Sequence, residues 1–360
     1  MRWHTGVVSP SERTTDLSGT RVLVTGATGY VGARLVPRLL ADGAHVTVMV
    51  RDPAKLEGVP WRERVEVRRG DLQDADSMRA AFAGSDVAYY LVHSMGGADD
   101  FEAEERRAAT AFAEAAADAG ISRIVYLSGL HPEGTDLSPH LRSRVEVGRI
   151  LLESPVRTVV LQAGVVIGAG SASFEMIRFL TDRLPAMVTP KWVHNSIQPI
   201  AVADAVHYLA AAAACPLDDD LVADIGGPDV YEYGEIMQIY AEESGLRRRP
   251  MLVVPLFSPW LASHWVGLVT PLPTGLAKPL VQSLQCDAVV DDPRGAELLG
   301  PPPGGTTPYR DAVRAALAGD DVPPTWDDAD PLGHPSRLLP SDPDWAGPRP
   351  PRLLRAGRGR

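Results

Sequence analysis

Cysteine is nearly absent. Cys215 and Cys286 are the only two in 360 residues, and they lie far apart. Two thiols cannot build a disulfide framework, so a reducing, cytoplasmic setting is the simple expectation. Metal-ligand spacing is also missing. None of the nine histidines stands in His-Glu-x-x-His, and Cys-x-x-Cys does not occur, so no metal is expected. The closest approach to a hydrolase elbow, Gly168-Ala169-Gly170-Ser171, lacks the Gly-x-Ser-x-Gly order and gives a hydrolase poor support. Positive charge is in deficit, with 35 Lys and Arg against 46 Asp and Glu and a net charge of −11. With no long basic run, nucleic acid is not an expected partner. No apolar signal core follows Met1-Arg2-Trp3-His4, so no secretory segment is expected. The remaining composition, 45% hydrophobic and 22% charged, is ordinary and excludes global disorder, collagen and a coiled coil.

Short apolar runs alternate with helical patterns from Arg21 to about Ala163. The runs are 21–25, 45–50, 65–69, 87–92, 123–127 and 157–163. Between Asp99 and Ala119 an apolar stripe of Phe101, Ala108, Phe112, Ala115 and Ala119 fits one helix face. Glu105 interrupts that stripe, which implies a partly exposed first turn. Strands alternating with helices imply βαβ units and a parallel sheet with right-handed crossovers. The predicted fold is therefore α/β: a Rossmann-type doubly wound parallel sheet with a smaller C-terminal substrate lobe. Helices are predicted at 173–183, 202–214 and 233–244, the last ended by Gly245. The expected organisation is a flexible leader at 1–19, a dinucleotide-binding domain at 20–168, a mixed lobe at 169–317 that contributes to the core around 195–230, and a Pro-rich tail of little packed structure at 318–360.

Residues 251–277 carry no Asp, Glu, Lys or Arg. Pro255, Pro259, Pro271 and Pro273 break the run, so one straight membrane-spanning helix is not expected. The favoured reading is a lid or pocket wall, and a membrane-surface or protein-docking patch is the alternative. Trp260 and Trp265 within it favour an apolar small-molecule substrate.

The sharpest signal is Thr25-Gly26-Ala27-Thr28-Gly29-Tyr30-Val31-Gly32, which follows the first strand and opens a helical pattern. Gly26 permits a tight turn, Gly29 lets a pyrophosphate approach the backbone, and Gly32 allows the helix to pack closely. The helix N-terminus then offers N–H groups and a positive dipole end to the phosphates. The second strand ends at Val50, and Arg51-Asp52 follow. Arg51 suits a bidentate contact with a ribose 2′-phosphate, which favours NADP, while Asp52 keeps NAD open.

The Gly-x-x-Gly-x-x-Gly spacing resembles the short-chain dehydrogenase/reductase superfamily, most closely its extended and atypical branches, including epimerase/dehydratase-like and NmrA-like proteins. The resemblance runs over roughly residues 20–245. It is carried further by Gly70-Asp71-Leu72, by 86–94, by Leu127-Ser128-Gly129, by Gln162 to Gly168 and by Gln198 to Asp204. It implies that Asp71 and Leu72 flank the adenine, that Leu91, Val92, His93 and Ser94 run beneath the adenosine ribose, and that Gly164, Val165 and Val166 lie near the nicotinamide.

The resemblance also implies a catalytic Ser followed by Tyr-x-x-x-Lys. Ser128 stands in the Ser place, but the helix reads His140-Leu141-Arg142-Ser143-Arg144, with His140 for Tyr and Arg144 for Lys. Spacing of i, i+4 keeps both on one face. His140 is a chemically possible acid, and Arg144 can hold a ribose or an oxyanion. A solvated helix whose ancestral site has lapsed is the alternative. His131 competes as an acid from a loop, and His93 reads as structural or at the cofactor edge. The functional expectation is an NAD(P)-dependent oxidoreductase acting on a carbonyl or alkene. Its rivals are a non-catalytic NADP-binding redox sensor or regulatory protein, and a membrane-associated accessory protein.

Overall fold

The structure is a computed structural model. It describes residues 15–93, 101–132, 134, 137–216, 218–254, 267, 269–318, 338–339 and 341–346. The central sheet begins with β1 (Arg21–Thr25), β2 (His45–Val50), β3 (Glu66–Arg69), β4 (Val87–Tyr90), β5 (Arg123–Gly129) and β6 (Arg157–Ala163). Short strands follow: β7 (Val166–Ile167), β8 (Met187–Thr189), β9 (Ser196–Ile197) and β10 (Ile200–Ala201). A seventh sheet strand, β11 (Leu221–Ile225), completes the order β11-β6-β5-β4-β1-β2-β3, all in parallel. Chain order reverses between β1 and β4, which opens a crevice at the carboxyl ends of those strands.

The sheet is covered on both faces, so its central strands are apolar throughout rather than alternating. Val22 and Val24 of β1 face α1 (Tyr30–Ala41), while Leu23 joins the cluster on the opposite face. That opposite layer holds α2 (Ala75–Phe82), α3 (Phe101–Asp118) and α4 (Pro139–Leu152). After α5 (Ala172–Arg183) comes α6 (Val202–Ala214), whose alanines let it lie beside α1. Thus α6 and β11 lie within the 195–230 stretch expected to join the core. α7 (Tyr233–Glu243) and the helices Thr274–Ser283 and Tyr309–Ala318 pack with α5 around a separate cluster containing Phe174, Ile177, Tyr240, Val281 and Val313.

Both chain ends of the described region are tied down. Leu17, within the expected leader, is buried, and its N–H donates to Asp42. In the expected tail, Leu339, Asp342 and Ala346 pack against the body. Asp342 makes a two-pronged pair with Arg34 of α1 at 2.7 and 3.0 Å, and the two side chains are only 4% and 1% exposed. The same guanidinium donates to the carbonyls of Tyr30 and Ala169. A buried Arg must find acceptors for its donors, and that need holds this Pro-rich segment in place. Of the uncharged run, 251–253 forms a strand paired with β8, whereas 255–266, including Trp260 and Trp265, and 268 lie outside the described residues. Among the described residues no helix is long and apolar enough to cross a membrane.

Removing one partner of the buried pair strands the other. Asp342→Ala should lower unfolding stability by roughly 3–5 kcal/mol in urea titration, and the double variant Arg34→Met/Asp342→Leu should lose far less. A loss below about 1 kcal/mol for Asp342→Ala would show that the segment does not hold α1.

Candidate active site

The glycine loop is built by close backbone approach. Gly26 has φ +75°, and a Cβ there would sit 2.5 Å from the Leu91 carbonyl oxygen, just past β4. The loops leaving β1 and β4 therefore touch at the point where the strand order reverses. A Cβ on Gly32 would run into the Gly26 carbonyl, so Gly32 makes room for the loop itself as well as for helix packing. Gly29 is the N-cap of α1, donates to Gly26 O and offers no side-chain cap, and the first turn contains no acidic residue. The positive helix end is thus left for an anion. Thr25 Oγ1 donates to the Tyr89 carbonyl and fixes the strand end. Ala27 is fully buried, and Thr28, Tyr30 and Val31 are half-buried.

At the far end of the crevice, Arg51 is exposed immediately after β2. The Asp52 carboxylate instead accepts the N–H of Ala54 at 3.1 Å and caps the following turn. Asp71 accepts the N–H of Gln73, and Leu72 is buried against the α2 and α3 layer.

A cavity of about 190 Å³ lies beyond the ends of β5 and β6. It is lined by Ser128, His140 and Arg144, and also by Gly164, Val165 and Val166. The proposed catalytic and nicotinamide-side residues thus share one wall. Leu130, Met176, Ile197, Leu280 and Leu284 make the remainder mostly apolar. His140 is 8% exposed, so it does not lie on a solvated face of the helix. It is held in the first turn of α4, where Pro139 starts the helix and Ser138 Oγ accepts the N–H of Leu141. Arg144 donates to the Leu127 carbonyl, while its buried Nε–H has no hydrogen-bond partner among the described residues. A ligand oxygen would satisfy it. His131 is turned back onto the Gly129 carbonyl at 3.0 Å. Ser94 lies outside the described residues.

Behind His140 stands a chain of groups that motif reading did not assemble. His140 Nδ1 is 3.1 Å from His93 Nε2, and His93 Nδ1 is 2.7 Å from Glu105 Oε1. The second Glu105 oxygen accepts Ser143 Oγ–H. Glu105 is only 4% exposed: it belongs to the buried face of α3 instead of marking an exposed break in the stripe. Its burial is possible because α4 and the loop after β4 bring it two donors. The sequence signal was a carboxylate inside an apolar helical stripe. Burial is the main cause pulling the His140 pKa down to about 3, and the neighbouring His93 and Arg144 act in the same direction against Glu105. Its place at the positive end of α4 adds to this. Burial also lowers the His93 pKa, opposed mainly by its hydrogen bond to Glu105.

Two measurements follow from this geometry. Gly26→Ala forces a left-handed alanine against Leu91 and should weaken NADPH binding by about tenfold or more in calorimetry; unchanged affinity would remove the cradle. The His140 imidazole should stay neutral from pH 8 to pH 5 in an NMR titration. Its unfolded pKa of 6.5 lies above the folded value of about 3. Its contribution to stability is therefore present above pH 6.5 and is lost as the pH falls toward 3.

The cradle, the uncapped helix end and the unsatisfied Arg144 donor all fit a nicotinamide dinucleotide. Residues 26–153 match the NAD(P)H-binding family model. The chain is 36% identical over 115 residues to cinnamoyl-CoA reductase 1 of Oryza sativa subsp. japonica, covering 30% of this chain and 33% of that protein. The match thus spans only about a third of the rice protein's length. It is 28% identical over 274 residues to ceramide reductase of Caulobacter vibrioides, covering 73% of this chain and 84% of the relative. Its fold is similar to that of the Citrobacter sp. triphenylmethane reductase solved with NADP(H), with a TM-score of 0.63, 19% identity, and coverage of 82% and 99%. The chain carries an NAD(P)-binding Rossmann-type domain whose homologues lie among the short-chain dehydrogenases/reductases.

Proposed function

We propose that the protein is an NADP-preferring oxidoreductase that interconverts a reduced and an oxidised form of an apolar small molecule, a carbonyl compound or alkene being the oxidised partner. The observation that carries this reading is the shared cavity wall of Ser128, His140, Arg144 and Gly164 to Val166 beyond the ends of β5 and β6. Gly26, Ala27, Thr28, Gly29, Tyr30, Val31 and Gly32 would hold the pyrophosphate, with Leu91, Val92 and His93 beside them. Arg51 would take the 2′-phosphate, since the Asp52 carboxylate is engaged with its own turn. Asp71 and Leu72 would flank the adenine. The bound nicotinamide supplies hydride chemistry.

The chain's own residues supply orientation and proton handling. Ser128 fixes the reacting oxygen, His140 exchanges a proton with it, and Arg144 Nε–H binds a ribose or substrate oxygen. The apolar wall contributed by Met176, Leu280 and Leu284 excludes water and selects an apolar body. These residues come from the 169–317 region, which we assign as the substrate lobe. A non-catalytic redox sensor is the second reading, favoured by the replacement of Tyr-x-x-x-Lys with His140 and Arg144.

NADPH consumption against a panel of apolar ketones and enones, with the reverse reaction on the matching alcohols, is the direct test. Ser128→Ala and His140→Ala should each lower kcat/KM by about 10²–10⁴-fold while cofactor affinity is kept. Tight cofactor binding without turnover by the wild type would favour the sensor. Arg51→Ala should weaken NADP about 10–100-fold and leave NAD nearly unchanged; equal loss of both would end the 2′-phosphate assignment.

A further inference from the structure

We propose that Glu105, His93 and His140 form a proton relay that leaves His140 Nε2 bare toward the cavity, so that the resting site is a base poised to oxidise a hydroxyl group. This deepens the oxidoreductase reading and rests on it. The polarity follows from counting protons along the chain. In the proposed relay Glu105 is ionised, and an ionised carboxylate can only accept hydrogen bonds. Ser143 Oγ–H fills one oxygen of Glu105, and the 2.7 Å contact to the other requires a proton on His93 Nδ1. A neutral His93 then has a lone pair on Nε2. The 3.1 Å contact to His140 must therefore be made by a proton on His140 Nδ1. Nε2 remains for the cavity that His140 lines.

Placement on the helices makes this arrangement specific. His140 and Ser143 lie three apart on α4 and face α3, where Glu105 interrupts the apolar stripe. The charged and titratable groups acting on His140 are Arg144 on its own helix, Glu105 on α3 and His93 after β4; Tyr126 on β5 donates its hydroxyl to the Arg144 carbonyl. Arg144 and burial both oppose a resting imidazolium, in agreement with the neutral tautomers.

The balanced step starts from a secondary alcohol and an oxidised nicotinamide nucleotide. The hydroxyl proton passes to His140 Nε2, and the carbinol hydrogen leaves as hydride to the nicotinamide ring as the C=O bond forms. The Nδ1 proton of His140 moves to His93 Nε2, and the Nδ1 proton of His93 moves to Glu105. The products are the ketone, the reduced nucleotide and one additional proton on Glu105. His140 is the catalytic group, while Glu105 and His93 are positioning residues that set its tautomer.

The first readout needs no activity. Long-range proton–nitrogen NMR of the full-length protein, with labelled histidine and assignment by His93→Gln and His140→Asn, should show both rings protonated on Nδ1 alone at pH 7. A proton resting on His140 Nε2 overturns the proposal. The second readout is the pH profile between pH 6 and 8 with NADP and apolar secondary alcohols, and with NADPH and the matching ketones. Oxidation kcat/KM should stay flat, and reduction should fall about tenfold per pH unit. Flat reduction with oxidation rising about tenfold per unit is the opposite result and overturns it. Glu105→Gln should lower oxidation kcat about 100-fold at unchanged KM, with partial rescue by Glu105→Asp; an unchanged kcat assigns Glu105 to packing alone. Calorimetry with NADP separates the two levels. Absent binding sinks the oxidoreductase reading whatever the tautomers, whereas binding with the wrong tautomer sinks only the relay.

Discussion

The approach of Gly26 to the Leu91 carbonyl is the contact on which the site depends. A parallel sheet covered on both faces forces its connections to opposite sides, and the loops from β1 and β4 part where the order reverses. Without a Cβ at Gly26 those loops close to backbone contact, and the turn delivers the N-terminus of α1 to the crevice. Leu91, Val92 and His93 are placed by the same contact, because they continue directly from the strand that carries Leu91. The turn of the glycine loop and the place of His93 are therefore consequences of one missing methyl group.

The second constraint is electrostatic. A phenol and an ammonium set the direction of proton transfer by their own chemistry, whereas a neutral imidazole carries its proton on either nitrogen. Replacing Tyr and Lys by His140 and Arg144 removes that built-in direction. In the proposed relay the buried Glu105 restores it from behind, because an ionised carboxylate between Ser143 and His93 admits one order of donors and acceptors. Arg144 then no longer needs to perturb a phenol, and its unsatisfied Nε–H is left to bind.

Local patterns showed through the sequence wherever the physics was local. The β1 run, the glycine loop and the 202–214 helix are set by neighbouring residues, and their bounds agree with β1, the N-terminus of α1 and α6. The β4 ladder stops at Tyr90, short of the expected Val92, because the chain turns off there to meet Gly26. β11 was not singled out: LVADI is an edge strand with exposed Val222 and offers only weak alternation. The spacing of His140 and Arg144 and the strand-end place of Ser128 were legible, and the three line one cavity. The relay was not, since Glu105, His93 and His140 sit on three different elements and only the tertiary packing of α3 on α4 joins them. Asp342 was hidden for the same reason, its partner Arg34 lying 308 residues away in a differently composed part of the chain.

That distant pair has a mechanical consequence. Arg34 sits one turn into α1, whose N-terminus follows the glycine loop, and its guanidinium also holds the Ala169 carbonyl just before α5. α5 in turn carries Met176 into the apolar wall of the cavity. Helix α1, the chain entering α5 and Asp342 therefore meet at one buried guanidinium. Strain introduced at any of the three would be felt at the other two, because a buried Arg has no solvent to replace a lost acceptor. The positions of α1, of the chain entering α5 and of Asp342 are thus coupled through Arg34, which lies outside the glycine loop.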